Sequence, residues 1–228
     1  MEPYVPPVHY TRRWFCYLDL LGFSDLVMSR SLDRVLPLYE LALAQVNKGK
    51  MARRDLGISY SWFSDTFIIF SQGDTAEDFA HLEQSGRLLF QKLVLEHIPV
   101  RGAISCGDLY SQLRRNVFIG PALIEAHRYG EGQNWIGFAI APSAQERLEN
   151  VGLSPSQRAH YREVTDKSVF KATISQPLFA FAFNNGRVMG RNPYVSALEA
   201  MRLKASSAYV REKYDRTLRF LQLHSREM

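Results

Sequence analysis

Two aspartates and an arginine carry the chemistry open to this sequence. Asp19 closes an apolar and aromatic run at residues 14–18 and is followed by Leu20, Leu21, Gly22 and Phe23. The run reads as a buried strand that ends at an acid, with a glycine turn just beyond it. Burying a carboxylate is costly unless something pairs with it. A divalent cation would, because Mg²⁺ takes one or two carboxylates together with substrate phosphates. Capping of the next helix is the other ordinary use of such an aspartate. Asp65 follows Ser64 between two strand-like runs, 58–63 and 66–71, so it sits at a hairpin tip. Its plain alternative is a turn aspartate. Arg101 is the candidate anion ligand.

The elements decide whether these groups meet. A strand at 14–19, a helix after Gly22, the hairpin, a helix over 76–96 and a strand at 98–105 follow one another. That order is βαββαβ: an α+β, ferredoxin-like core with an antiparallel sheet and helices on one face. There the first strand lies beside the third, so Asp19 and Asp65 come side by side. Two facing carboxylates repel unless a cation sits between them. Two cations about 3.5–4 Å apart would clamp an in-line phosphoryl displacement. The turn through Leu21, Gly22 and Phe23 leads into a helix N-terminus, whose free N–H groups can hold phosphates. Arg101, opening the fourth strand, could reach the same place.

The helix after Gly22 is capped by Ser24, and Pro37 predicts a kink or a break within 31–37. Residues 47–55 read as a basic loop and 110–118 as a loop or flap. Gly120-Pro121 opens a helix to about residue 129. A strand at 135–140 and a short helix at 142–148 come next, then an unreadable stretch at 151–167 and late strands at 169–174 and 178–183. Residues 193–224 form a long helix or helix pair. Its Arg202, Lys204, Arg211, Lys213, Arg216 and Arg219 read as a solvated basic face. This gives a lead-in (1–13), a main domain (14–183) and a C-terminal helical extension (184–228).

Composition narrows the class. At 228 residues and 46% hydrophobic content the chain is one well-cored domain, and its net charge of +5 suits an anionic ligand. No block of like charge is long enough for a nucleic-acid tail. Cys16 and Cys106 lie inside apolar runs and behave as small hydrophobes, which points to a reducing compartment, the cytoplasm. The proline-rich start has no signal-peptide core, and no run approaches the roughly 18–20 apolar residues of a membrane span.

Four segments taken in order resemble the class III nucleotide cyclases. They are DLLGF from Asp19, the Asp65 hairpin, VRGAISCG from Val100 and GPALIEAHR from Gly120, within residues 14–140. The resemblance implies that Asp19 and Asp65 bind two divalent ions, Mn²⁺ or Mg²⁺, with the Leu20 carbonyl as a further ligand. It implies phosphate binding by Leu21, Gly22, Phe23 and Arg101. It makes Arg128 the transition-state arginine, supplied by the second subunit of a homodimer with shared sites. The family's helix asparagine falls on Ile124, a departure, with Glu125 adjacent. The family's purine-reading Lys and Asp fall on Ser59 and Val117, so a purine would lose both charged partners, and a site built for one base rejects another. Within the family, DLLGFS, YSWFSDTF and VRGAIS look most like the pyrimidine cyclases of the bacterial Pycsar antiphage system. That implies UTP, or alternatively CTP, as substrate, the 3′,5′-cyclic nucleotide and pyrophosphate as products, and a separate cyclic-nucleotide-binding effector, with no nucleic-acid or membrane partner. Ser59, Tyr60, Ser61 and Val117 are then the base-binding candidates. Three alternatives stand beside this reading. One is a diguanylate cyclase relative, which the hairpin Phe63-Ser64-Asp65-Thr66 argues against. The second is a degenerate cyclase serving as a nucleotide sensor. The third is a ferredoxin-like module stacking RNA bases on Phe15, Tyr17, Phe67 and Phe70.

Overall fold

In the computed structural model of the chain, the described residues are 10–29, 57–152, 160–171, 178–183 and 192–225, with positions 36, 37, 40 and 44. Strand β1 (Thr11–Leu20) is central. It pairs antiparallel with β3 (Thr66–Ser71) on one side and β4 (Val100–Gln112) on the other. Strand β2 (Ile58–Phe63) forms the hairpin with β3, and Phe63 stands opposite Thr66. The order β2-β3-β1-β4 is that of the expected βαββαβ core. Beyond β4 the sheet continues through β6 (Phe138–Ile140), parallel to β4, then β8 (Leu178–Phe181) and β7 (Tyr161–Val164). The short β5 (Val117–Ile119) folds back on the far end of β4.

Alternation along β1 builds two cores, because successive strand residues point to opposite faces. Trp14, Cys16, Leu18 and Leu20 pack against Phe79, Leu82, Leu89, Phe90 and Leu93 of α2 (Ala76–Leu95). That helix starts cleanly: Thr75 and Asp78 form a capping box. Phe15 and Tyr17 point the other way, onto Ala122 and Ala126 of α3 (Pro121–Glu131). The core helix α2 thus covers one face, as expected, and α3, which follows the core, covers the second. Helix α1 (Phe23–Ser29) leaves the turn after β1, and α4 (Pro142–Val151) follows β6.

The C-terminal region is a helix pair, α5 (Pro193–Leu203) and α6 (Ala208–Ser225). Tyr194, Leu198, Met201, Tyr214 and Leu221 join the core that holds α2. The Thr217 hydroxyl accepts the Ile136 N–H at 3.0 Å and lies 3.1 Å from its carbonyl, pinning α6 to the lead-in of β6. Two local expectations change. Residues 110–118 are an ordered arm, since β4 runs on to Gln112, a 3₁₀ turn spans Leu113–Arg115 and β5 returns. The strand expected at 169–174 begins instead as a 3₁₀ turn, Lys167–Val169, with a single bridge from Phe170 to Gln133. The remainder of that segment, the kink at 31–37 and the basic loop at 47–55 lie outside the fully described residues. No described helix is long and apolar enough to cross a membrane.

Candidate active site

The two aspartates meet at the end of β1. Asp19 stands opposite Thr66 on β3 and opposite Arg101 on β4. Ser64 takes a left-handed conformation (φ 56°) in the two-residue turn, and the carbonyl of the next residue, Asp65, accepts the Leu20 N–H at 2.9 Å. The hairpin tip is thereby stitched to the residue after Asp19. The juxtaposition expected from the strand order is present.

Asp19 is 5% exposed and Arg101 6%. The Arg101 guanidinium donates through Nε (2.8 Å) and Nη2 (2.7 Å) to Oδ2 of Asp19. Its Nη1 donates to the carbonyls of Glu131 (2.8 Å) and Gln133 (3.2 Å), and Nη2 lies 3.4 Å from the Glu131 carboxylate. Every nitrogen of the side chain is therefore engaged inside the protein. This corrects the expectation that Arg101 binds phosphate: its planar fork is spent holding Asp19. The Tyr17 hydroxyl donates to the other Glu131 oxygen at 3.3 Å. Glu131 reaches this place because α3 lies close on β1. A Cβ on Gly130 would come within 2.6 Å of the Tyr17 ring, so only glycine permits the approach.

Burial raises the Asp19 pKa, Arg101 pulls it back, and the charges of Glu131 and Asp65 push it up again; the net shift is upward. Asp19 and Glu131 both contact the buried guanidinium, Asp65 adds a third carboxylate nearby, and a cation beside Asp19 and Asp65 would relieve their mutual repulsion. The donor set fits a hard divalent ion, with two carboxylates, a neighbouring main-chain carbonyl at Leu20 and room for oxygen ligands from substrate. Among the described residues no group of three or more His, Cys, Asp or Glu side chains is poised around a metal. A site of this kind is completed by the ligand's phosphates.

Other expected residues fall out differently. Gly22 has φ +71°, which explains a glycine in the turn. The Leu21 N–H is given to the Pro99 carbonyl at 2.8 Å, so it is not available to a phosphate. Ser59 and Ser61 share a face of β2, opposite Phe70 and Ile68. Tyr60 lies between them, on the reverse face, where its ring stacks on Trp62 (centroids 6.4 Å apart, 7° between planes) against the α2 core. Strand alternation therefore removes Tyr60 from any surface made by the two serines. The Ser61 hydroxyl donates to Oδ1 of Asn116 at 2.8 Å, which brings β2 to the residue beside Val117. Arg128 is exposed on α3, its guanidinium 5.1 Å from the Tyr129 ring centre. Ile124, one turn earlier, is 64% exposed. Glu125 does not take the place of the family's asparagine, because its carboxylate accepts the Ser143 N–H at the start of α4. Phe15, Tyr17, Phe67 and Phe70 are all buried, so none is displayed for base stacking.

Sequence reasoning missed Glu131 and Asn116. Glu131 had one local signal: an acid in the last turn of a helix opposes the helix dipole, so something else must hold it. Asn116, left-handed at φ 55°, had the ordinary signature of a turn residue and no sign of its partner in β2.

No protein-family model matches the chain, and no curated protein matches it in sequence. Solved structures do match in shape. The guanylyl cyclase domain of the RhoGC fusion protein of the aquatic fungus Blastocladiella emersonii aligns with TM-score 0.54 at 9% identity over 75% of this chain and 95% of that one. The guanylate cyclase domain of RhGC from Catenaria anguillulae, crystallised with GTP, aligns with TM-score 0.53 at 9% identity, over 75% and 96%. A bacterial light-regulated adenylyl cyclase aligns with TM-score 0.55 at 11% identity, over 87% of this chain and 59% of that one. The fold is that of nucleotide cyclase catalytic domains. At identities this low the likeness is one of fold, and the chemistry has to be argued from the site.

Proposed function

We propose that this chain is a nucleotide cyclase converting a pyrimidine nucleoside triphosphate to its 3′,5′-cyclic monophosphate and pyrophosphate, with UTP the favoured substrate and CTP the alternative. One observation carries the reading: on a cyclase fold, Asp19 and Asp65 meet at the end of β1, where burial and neighbouring carboxylates raise the Asp19 pKa despite Arg101. Two divalent ions, Mg²⁺ or Mn²⁺, held by Asp19, Asp65 and the Leu20 carbonyl would lower the pKa of the ribose 3′-hydroxyl and neutralise the phosphates. The chain's own part is orientation. Arg101 fixes the Asp19 carboxylate through two hydrogen bonds to one oxygen, leaving the other oxygen for a ligand. The 3′-oxygen then attacks the α-phosphorus in line, the bond to the bridging oxygen breaks, the hydroxyl proton passes to solvent and pyrophosphate leaves. The reaction is intramolecular, so holding the reactive conformer supplies much of the acceleration.

Base selection rests with Ser59, Ser61 and the Asn116–Val117 segment. Hydroxyl and amide groups can pair with a pyrimidine edge, and the two positions where the purine readers would stand are Ser59 and Val117. Arg128, which is exposed together with Ile124, would reach a second copy of the chain and stabilise charge developing at its α-phosphate. The homodimer would then carry two identical sites. The cyclic nucleotide would act as a signal in antiphage defence, read by a separate effector. A second reading, a sensor that binds a triphosphate without cyclising it, is favoured by Ile124, an apolar side chain at the position where the family carries an asparagine.

Incubating the pure protein with each of the four ribonucleoside triphosphates and Mn²⁺, and weighing the products, tests this. Cyclic UMP as the main product is the expected result. A purine cyclic nucleotide as the main product would overturn the base assignment. Binding without turnover of any of the four would favour the sensor.

A further inference from the structure

A cavity of about 390 Å³ opens beside the turn after β1. Its walls include Leu20, Gly22 and Phe23 on one side and Lys204, Lys213 and Tyr214 of the C-terminal helix pair on the other. Most of the lining is apolar, and Lys204 and Lys213 contribute to it. They were expected to belong to a solvated face. Their neighbouring acids are already used, Glu212 by Arg216 and Arg219 and Asp215 by Arg202. Among the described residues neither Lys204 nor Lys213 has a carboxylate partner, and the Lys213 ammonium rests 5.0 Å from the Tyr209 ring centre.

Lys213 also belongs to the electrostatic neighbourhood of Asp19. Burial lowers its pKa first, and the charges of Arg101 and Lys171 lower it further, while Asp19 acts in the opposite sense. Lys171 behaves alike: burial and Arg101 lower its pKa, and Glu131 and Asp19 raise it. Two lysines from the last third of the chain thus converge on the end of β1. Asp19 and Glu131 offset part of this positive charge. An anion lying between the Gly22 turn and Lys213, which line the same cavity, would meet the Lys213 ammonium directly.

We propose that the C-terminal helix pair completes the phosphate site, with Lys213, flanked by Lys171 and Lys204, binding the terminal phosphates of the nucleotide held at Asp19 and Asp65. This rests on the cyclase reading above, and it assigns to the extension, within the same chain, the phosphate-binding role that Arg101 does not fill. A lysine suits the task, being a flexible point charge with three donors on a long stem. The phosphate chain runs across the rim of the cavity, over Gly22, and leaves the apolar lining dry.

The experiment uses the full chain with Mg²⁺ and two probes, inorganic tripolyphosphate by calorimetry and UTP by steady-state kinetics. Lys213→Ala should weaken tripolyphosphate binding about tenfold and raise the KM for UTP by a similar factor, with kcat little changed. Lys213→Arg should keep most of the affinity. Should Lys213→Ala lower the Tm, the exposed Lys171→Ala is the second variant, with a smaller loss expected. Unchanged tripolyphosphate affinity in the folded Lys213→Ala protein overturns the proposal. A chain that turns over no triphosphate, yet binds tripolyphosphate in a Lys213-dependent way, refutes the cyclase reading and upholds this one. An active chain whose KM ignores Lys213 does the reverse.

Discussion

Asp19 is the residue on which the site turns. It is buried, fixed by one guanidinium and crowded by two other carboxylates, so its pKa lies above the ordinary aspartate range. The sign of the consequence follows from linkage. A carboxyl that binds its proton more tightly in the folded state favours folding at low pH, and that contribution is lost as pH rises through its folded pKa. A divalent ion takes only the ionised form, so it restores stability in the same direction in which the proton leaves. Excess Mg²⁺ or Mn²⁺ should therefore raise the Tm more at about pH 8 than at about pH 5. Melting curves at the two pH values check this, and Asp19→Asn should erase the difference. Arg101 illustrates a limit of reading residues singly. An arginine at a strand end near two acids looked available to phosphate, whereas the cross-strand register, Asp19 opposite Arg101, spends it on the nearer acid.

At the scale of elements, the close seat of α3 on β1 assembles the site. Gly130 allows that seat, and its neighbour Glu131 reaches Tyr17 and Arg101. Gly130→Ala would force a methyl to within 2.6 Å of the Tyr17 ring, so the helix must move. The expected cost is about 1–3 kcal/mol of stability, measured by denaturant unfolding. Turnover per folded molecule should fall as well, since Glu131 and the Arg101 contacts shift with the helix. The β1 run, the Ser64-Asp65 turn and the helical spacing of α2 were legible in the sequence because each is a local pattern, and the strand order then followed from connectivity. Tyr60, a base-binding candidate whose ordinary alternative is a core residue, packs on the face opposite Ser59 and Ser61, as their alternation along β2 requires. Glu131 meeting Tyr17, and Lys213 approaching Asp19, depend on how helices pack across more than a hundred residues of chain, which no local pattern encodes. The arm at 110–118 looked like a loop because its polar residues alternate on a ribbon with little cover.

On the whole molecule, Arg128 lies on an exposed stretch of α3 with Ile124. If a second copy supplies it, Arg128→Ala should lower turnover by roughly 10²–10³. Mixing that variant with Asp19→Ala should restore part of the activity, because one site of the mixed dimer keeps both groups. Activity that stays at the level of the separate variants would show that each chain works alone. The C-terminal helices belong to the same body, sharing the core of α2 and lining the cavity beside Gly22. The central claim is narrower than any of this: the Asp19–Asp65 pair is where a triphosphate is cyclised. The most direct measurement is mass analysis of the UTP reaction with the native chain, Asp19→Ala and Asp65→Ala side by side, each shown to be folded by its melting curve. The account predicts cyclic UMP and pyrophosphate from the native chain and neither from the two variants. Near-native product formation by either variant would contradict it.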